Sequence, residues 1–569
     1  MSSSSSWRSI VRLLPVAGRV TVVAITLNLL IGLLPLGFVI GTSVAVAGIW
    51  AAILPAAVAL LLQAVLSPFQ AAFTELISRR VDEACARRLM RATLTEVPFD
   101  RLEDPDVLDR MADARRGLVE YSATPGAAVA GLIALVARYA QLAGGVAITG
   151  VLLGPVAALV ITAAALVARF GERGAQTRYS VLRSRTAAAR RKTHYVFDTG
   201  SSPAAAKEIR VLGTLPWWRE RGDREADAYL RPLWLARRRI RLAPFTGYSV
   251  VVLAGALTVL VMLRDTVGRG GLGVLGLSLG LQAILIPLRF GVYFPEADPQ
   301  TQEGMRAYEA MLQIERLAGP PAAGPVPVAG GIAFEKVSFR YPGSSRLVLH
   351  ELDLQFPAGT STAIVGLNGA GKTTLVKLLS GLYEPTAGQI SVDSGGLAVI
   401  FQDYARYELD AAANIGLGAP AHMGDPAALR RAIEWAGAAE VIAALPDGLA
   451  TVLSSRYSGG VDLSGGQWQR IALARALFAV QAGASVLVLD EPTAQLDVRA
   501  EVAFYDRFLE LTRGLTTVVI SHRFSTVRRA DRIVVLDGGQ VSEQGSHEEL
   551  MAEGGQYAEL FELQARRFA

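Results

Sequence analysis

Along the first half of the chain, apolar residues do not alternate with polar ones but run on for longer than an ordinary helix or strand needs. Val20 to Ala47 and Gly48 to Ala72 carry no charged residue. Two more such runs fit within Ser122 to Val167, where Arg138 is the only charge. Another extends from Leu242 to Leu263, and a last one from Gly270 to Pro295 is interrupted only by Arg289. A helix needs about 20 apolar residues to cross a bilayer. The pattern therefore predicts six membrane-spanning helices.

Beyond the last run the pattern changes. "AGPPAAGPVPVAGG", Ala318 to Gly331, is a Pro/Gly/Ala linker. After it, short β-rich runs ("STAIVG", "SVLVLD", "TTVVIS", "RIVVLD") alternate with helical stretches, as in an α/β domain. The division expected is a membrane domain over 1–317, a linker over 318–331 and an α/β domain over 332–569.

Charge orients the membrane part. Net charge is +5, which by itself is compatible with nucleic acid. The excess is not spread evenly, however. Gly171 to Ala243, between the fourth and fifth runs, holds seventeen Lys and Arg against seven Asp and Glu. The connections near Gly48, near Gly154 and from Arg264 to Gly276 are short and nearly uncharged. Basic loops stay on the cytoplasmic side, so both long connections, Glu75–Glu120 and Gly171–Ala243, face the cytoplasm, as do the termini. The membrane thus accounts for the basic charge, and no nucleic-acid partner is expected. A lone cysteine, Cys85, excludes an intrachain disulfide and a cysteine-based metal cluster. Each long connection has a punctuated element at its far end. In "FDRLEDPDVLDRM" a helix starts at Pro105 behind Asp104; in "KEIRVLGTLPWWRER" Gly213 and Pro216 break the helix beside Trp217 and Trp218, a docking surface.

The second domain carries the chemistry. "GLNGAGKTT" lies between the strand-like "TAIV" and the helical "LVKLLSGLY", the context of a phosphate-binding loop. Gly366, Asn368, Gly369, Ala370 and Gly371 bring backbone N–H groups to the phosphates of ATP. Lys372 reaches the β and γ phosphates, the Thr373 hydroxyl can ligate Mg²⁺, and Thr374 completes the motif. "SVLVLDEP" is a buried strand ending in Asp490, suited to the Mg²⁺ shell, and Glu491, aimed at the attacking water. "DLSGGQWQR" is a second helix N-terminus fit to hold an anion, through Ser464, Gly465, Gly466 and Gln467.

The order of these motifs, with "FQD" before "LSGGQ" and "AQLD" and "ISH" after it, resembles the nucleotide-binding domain of ATP-binding cassette transporters, from Gly331 to about Gln564. Six upstream spans with two cytoplasmic extensions resemble the exporter type, fused as a half-transporter. The resemblance implies two domains meeting head to tail, each ATP lying between one phosphate loop and the partner's Ser464–Gln467. It implies that Tyr341 stacks on adenine, that Gln402 touches Mg²⁺ and water, that Asp497 crosses the dimer interface and that His522 contacts the γ-phosphate. Glu491, His522 and Gln402 are then the catalytic set, and Thr373, Gln402 and Asp490 the metal set.

The chain departs from many exporters at Ser458, where a glutamate commonly precedes the signature, and at Trp468, where Arg or Lys is commoner. "SGGQWQ" and "FQDYARYEL" look most like exporters of lantibiotics and related peptides. The expected protein is an ATP-driven exporter of an amphipathic cargo in a bacterial cell membrane. Its partner is a second copy of itself or a homologous half-transporter. One half of a heterodimer and an ATP-gated channel or regulator are the alternatives.

Overall fold

Where the described residues cover them, the uncharged runs fold largely as helices. The computed structural model describes residues 9–119, 124–289, 297–319, 324–328, 330–491, 512–521, 523 and 527–568. By its internal packing the chain divides into two units, Met1–Thr93 with Asp106–Arg316, and Leu94–Pro105 with Leu317–Ala569.

The first unit is helical: α1 (Arg19–Val46), α2 (Ile53–Arg91), α3 (Pro105–Val119), α4 (Pro125–Leu153), α5 (Pro155–Arg185), α6 (Ala187–Ser201), α7 (Pro203–Val211), α8 (Leu215–Arg237), α9 (Ala243–Gly268), α10 (Val274–Arg289) and α11 (Ala297–Glu315). Among the described residues, four helical stretches are long and apolar enough to cross a membrane: Arg19–Val46, Trp50–Glu96, Pro125–Leu153 and Leu215–Gly268. Pro155–Gly171 and Val274–Leu288 are shorter apolar helices, and they fall on the fourth and sixth expected spans. The 39 residues of α2 extend about 58 Å at 1.5 Å per residue, roughly twice the thickness of a bilayer core. Its apolar amino-terminal half leaves Leu54, Leu61 and Val65 largely exposed, as suits a lipid-facing surface. Its carboxyl-terminal half turns charged.

Between spanning helices, small residues and hydrogen bonds replace hydrophobic drive. A Cβ on Gly32 would lie 2.5 Å from the Ala137 carbonyl oxygen, so only glycine lets α1 approach α4 there. Gln70 on α2 donates to the buried Asn28 of α1 at 2.6 Å. Gln282 on α10 donates to Ser43 of α1 at 3.2 Å, and Ser278 to the same hydroxyl at 3.2 Å. The two punctuated elements form as expected: α3 begins at Pro105, and α7 and α8 are separated by Gly213 with φ +62°. Trp217 is 51% exposed and lies edge-on to Trp218.

The second unit holds a six-stranded sheet in the order β10-β9-β4-β8-β7-β6 and a four-stranded sheet in the order β1-β5-β2-β3. The strands are β1 (Val326–Val328), β2 (Ile332–Phe339), β3 (Leu349–Phe356), β4 (Ser361–Val365), β5 (Ala387–Asp393), β6 (Leu397–Ile400), β7 (Val486–Asp490), β8 (Thr516–Ile520), β9 (Arg532–Asp537) and β10 (Gln540–Gly545). In the larger sheet β9, β4, β8, β7 and β6 run parallel, and β10 pairs antiparallel to β9. Every residue of β7 and β8 is buried. That is why these strands read as continuous apolar runs: a parallel sheet is covered on both faces. The helices used below are α12 (Lys372–Leu379), α13 (Pro426–Trp435) and α14 (Gly465–Gln481). Trp468, 2% exposed, fills a core between α13, α14 and the sheet. The residue expected to depart from the family pattern is thus a packing residue, with its indole N–H bonded to Asp462 at 3.4 Å.

Candidate functional site

β4 feeds the chain into the glycine loop at the carboxyl end of the parallel sheet. Gly366 has φ +154° and Gly371 φ +103°, a region that side chains rarely adopt. A Cβ on Gly366 would collide with the Leu536 carbonyl oxygen, and one on Gly371 would sit 2.7 Å from Leu349 Cδ2. Asn368, Gly369 and Ala370 complete the loop, and α12 starts at Lys372. Its first N–H groups open toward the loop, which makes an anion cradle. The Lys372 ammonium folds over this cradle, donating to the carbonyls of Gly366 at 2.8 Å and Leu367 at 3.0 Å. Burial holds its pKa below the usual lysine range, against the nearby carboxylates of Glu491 and Asp490.

Those carboxylates come from β7. Asp490, 2% exposed, ends the strand. Burial, reinforced by the charge of Glu491, pushes its pKa up to about 6, and a hydrogen bond from Thr373 opposes the shift. Its Oδ2 is buried with no hydrogen-bond partner among the described residues. A buried, unsatisfied carboxylate oxygen beside a threonine hydroxyl is a hard-oxygen donor set, which fits Mg²⁺. Glu491 has φ +51°, a left-handed backbone that is strained for a glutamate. Its N–H is held by the Ile520 carbonyl at 3.0 Å. Gln402 Nε2 donates to Glu491 Oε2 at 3.2 Å. The structure therefore gathers Lys372, Thr373, Gln402, Asp490 and Glu491 at one end of the sheet. A cation, oxygen donors and a carboxylate are the kinds of group that phosphoryl transfer uses.

Tyr341 is half-buried beside Phe339 and Tyr383, with ring centroids at 5.0 and 5.4 Å. Its hydroxyl shares a hydrogen bond of 3.1 Å with Thr374, on the first turn of α12. An aromatic face next to the phosphate loop suits a nucleobase.

Ser464 caps α14 through a reciprocal pair: its Oγ accepts from the Gln467 N–H at 3.4 Å, and the Gln467 side chain accepts from the Ser464 N–H at 2.8 Å. Because the serine oxygen accepts, its own proton stays available to a phosphate. α14 packs on the edge strand β6 and on β7, and Gln469 in its second turn donates to the Glu491 carbonyl at 3.5 Å. β6 lies three strand positions from β4, about 14 Å at 4.8 Å per strand. Gly465 and Gly466 form the first turn of α14.

Asp497 and His522 lie outside the described residues, as does the side chain of Arg289. Sequence reasoning missed Glu103, Lys377 and Tyr383, which meet beside Tyr341. Glu103 and Tyr383 are 280 positions apart, and no local signal marks either.

Residues 349–494 match the family model described as ABC transporter. The ATP-dependent lipid A-core flippase of Alkalilimnicola ehrlichii is 33% identical over 434 residues, covering 72% of this chain and 69% of that protein. The proteins of that name from Burkholderia orbicola and Ralstonia nicotianae are 35% and 37% identical, over 57% and 55% of this chain. The chain spans little more than half the length of those two, 56% and 54%. Among solved structures, a bacterial Atm1-family ABC exporter with ATP bound aligns with a TM-score of 0.75 over 96% of this chain and 98% of that one, at 22% identity.

Proposed function

The chain belongs to the ABC transporter family, as an ATP-hydrolysing half-transporter of exporter fold, and on that premise we propose that it moves an amphipathic lipid across the bacterial inner membrane. Lipid is preferred to peptide because three relatives carry the name lipid A-core flippase. The charged positions inside the expected spans, Arg138 and Arg289, are both cationic, which suits an anionic headgroup.

ATP lies on Gly366–Thr374 with its base on Tyr341. Thr373 and Asp490, with Gln402 beside them, would hold Mg²⁺, which would supply charge neutralisation for the phosphates. Glu491 positions the attacking water, and Asp497 and His522 complete the site. The observation that carries this reading is the buried, unsatisfied Oδ2 of Asp490 next to a strained Glu491 that is already bonded to Gln402.

The site is completed by a second chain. Two separate anion-binding helix N-termini, at Lys372 and at Ser464, support this, because each signature helix then serves the partner's ATP. We propose a homodimer, with residues 1–317 in the membrane, 318–331 as linker and 332–569 in the cytoplasm with both termini. ATP favours the closed pair of nucleotide domains and ADP does not, which drives alternating access.

The test uses proteoliposomes containing a headgroup-labelled anionic glycolipid. ATP with Mg²⁺ is expected to change the fraction of label open to an impermeant quencher, and Glu491→Gln to abolish the change. Equal quenching in wild type with and without ATP would remove lipid from consideration as cargo.

A further inference from the structure

We propose that Gln469 is a positioning residue for hydrolysis, holding the Glu491 backbone in the conformation that keeps its carboxylate beside Gln402. This inference rests on the function proposed above and on the role given there to Glu491. Glu491 sits at φ +51°, a conformation that a side chain keeps only when its surroundings impose it. Two peptide planes meet at its Cα, and each is anchored from outside β7. The plane before it gives its N–H to the Ile520 carbonyl, at the end of β8, at 3.0 Å. The plane after it offers its carbonyl to Gln469, whose Nε2 donates at 3.5 Å. Peptide planes are rigid, so fixing both leaves the φ and ψ of Glu491 little freedom.

Packing alone does not explain a glutamine here. Gln469 is 6% exposed in the second turn of α14, among the buried apolar residues Trp468, Ile471 and Ala472. A buried amide is costly unless it is hydrogen-bonded, and an apolar side chain would fill the same space. Its Oε1 is buried with no partner among the described residues, so it is the donating end that has work at this position. The same helix reaches the other half of the contact. Tyr404, just past Gln402, donates its hydroxyl to the Gly465 carbonyl at 3.3 Å, and Arg475 donates to the Ala405 carbonyl at 3.2 Å. α14 therefore frames both ends of the 3.2 Å hydrogen bond between Gln402 and Glu491. At 3.5 Å the Gln469 bond is long, and hydrogen bonds of catalytic sites tighten once the site is loaded.

The experiment compares wild type, Gln469→Met and Gln469→Glu as full-length protein in detergent. Met keeps the length of the side chain and removes the donor, whereas Glu keeps its shape and sets an acceptor against the carbonyl. In both variants kcat for ATP is expected to fall about 10²-fold, the cost of misplacing a group by about 1 Å. KM and the affinity for radiolabelled ATP should stay within about threefold. On a Glu491→Gln background, Gln469→Met should add less than about a twofold loss, because it acts through the group already removed. Without nucleotide, the Glu491 amide should exchange with deuterium about tenfold faster in the variants, while the thermal midpoint stays close to that of wild type. Either variant suffices if the other folds poorly. Losses that multiply on the Glu491→Gln background, or an ATP affinity that falls in step with kcat, would make Gln469 a packing residue of α14 and overturn the proposal. Wild-type kcat in both variants, or an unchanged exchange rate at Glu491, would overturn it as well. ATP failing to bind the wild-type protein would instead remove the function proposed above.

Discussion

The Arg88 guanidinium grips the Glu315 carboxylate through two parallel hydrogen bonds, Nε to Oε1 at 2.9 Å and Nη2 to Oε2 at 2.7 Å. This pair ties the end of α2 to the last residue of α11, just before the chain passes into the second unit at Leu94 and at Leu317. Past that boundary, the Gly319 N–H donates to the Glu96 carbonyl at 3.0 Å. The two strands of chain are therefore tied on both sides of the crossing. The side chains are 40% and 22% exposed, so solvent weakens the pair. A double-mutant cycle of Arg88→Met and Glu315→Gln is expected to give a coupling of about 1 kcal/mol in thermal unfolding. Strictly additive losses would mean that the pair contributes nothing.

Glu491→Gln should retain ATP binding and lose about 10² to 10⁴ in hydrolysis, the range for removing a general base. It should also trap the closed dimer, which sizing or cross-linking in ATP would report. Hydrolysis at the wild-type rate would displace Glu491 from its assigned role.

Mixing Lys372→Ala protomers with Ser464→Arg protomers tests the shared site. Each variant alone forms dimers with two damaged sites. In a mixed dimer both lesions fall in one site and the other is whole. Recovered ATPase in the mixture is the expected outcome, and full activity from a strictly monomeric preparation would contradict it.

Gly366→Ala should be costly despite its small size. The backbone there has φ +154° and the Leu536 carbonyl blocks the Cβ. Strain of this kind amounts to about 1–3 kcal/mol. ATP affinity should drop by at least about tenfold, since relief of the strain means reshaping the cradle. Unaltered nucleotide binding would show that the loop yields without loss.

What was legible in advance, and what was not, divides by the range of the interaction. Long apolar helices were readable because a bilayer demands long uncharged runs whatever they pack against, so Val20–Ala47 announced α1 by composition alone. The phosphate loop was readable because its parts are neighbours in the chain: a strand, glycines at positive φ, then Lys372 opening a helix. Asp490 and Glu491 were readable for the same reason, as the end of a wholly apolar strand. The chain alone could not place Gln402 against Glu491, nor reveal that Glu491 is held at φ +51° by the Ile520 carbonyl. Strand order decides that, and strand order depends on which apolar faces pair across long loops. It likewise put α14 on β6 and β7, where Gln469 reaches the Glu491 carbonyl at 3.5 Å. Arg88 with Glu315, and Glu103 with Tyr383 and Lys377, lay furthest from view. A single charge on a solvated helix face looks the same whether its partner is water or a side chain hundreds of residues away, and only the packed fold distinguishes the two.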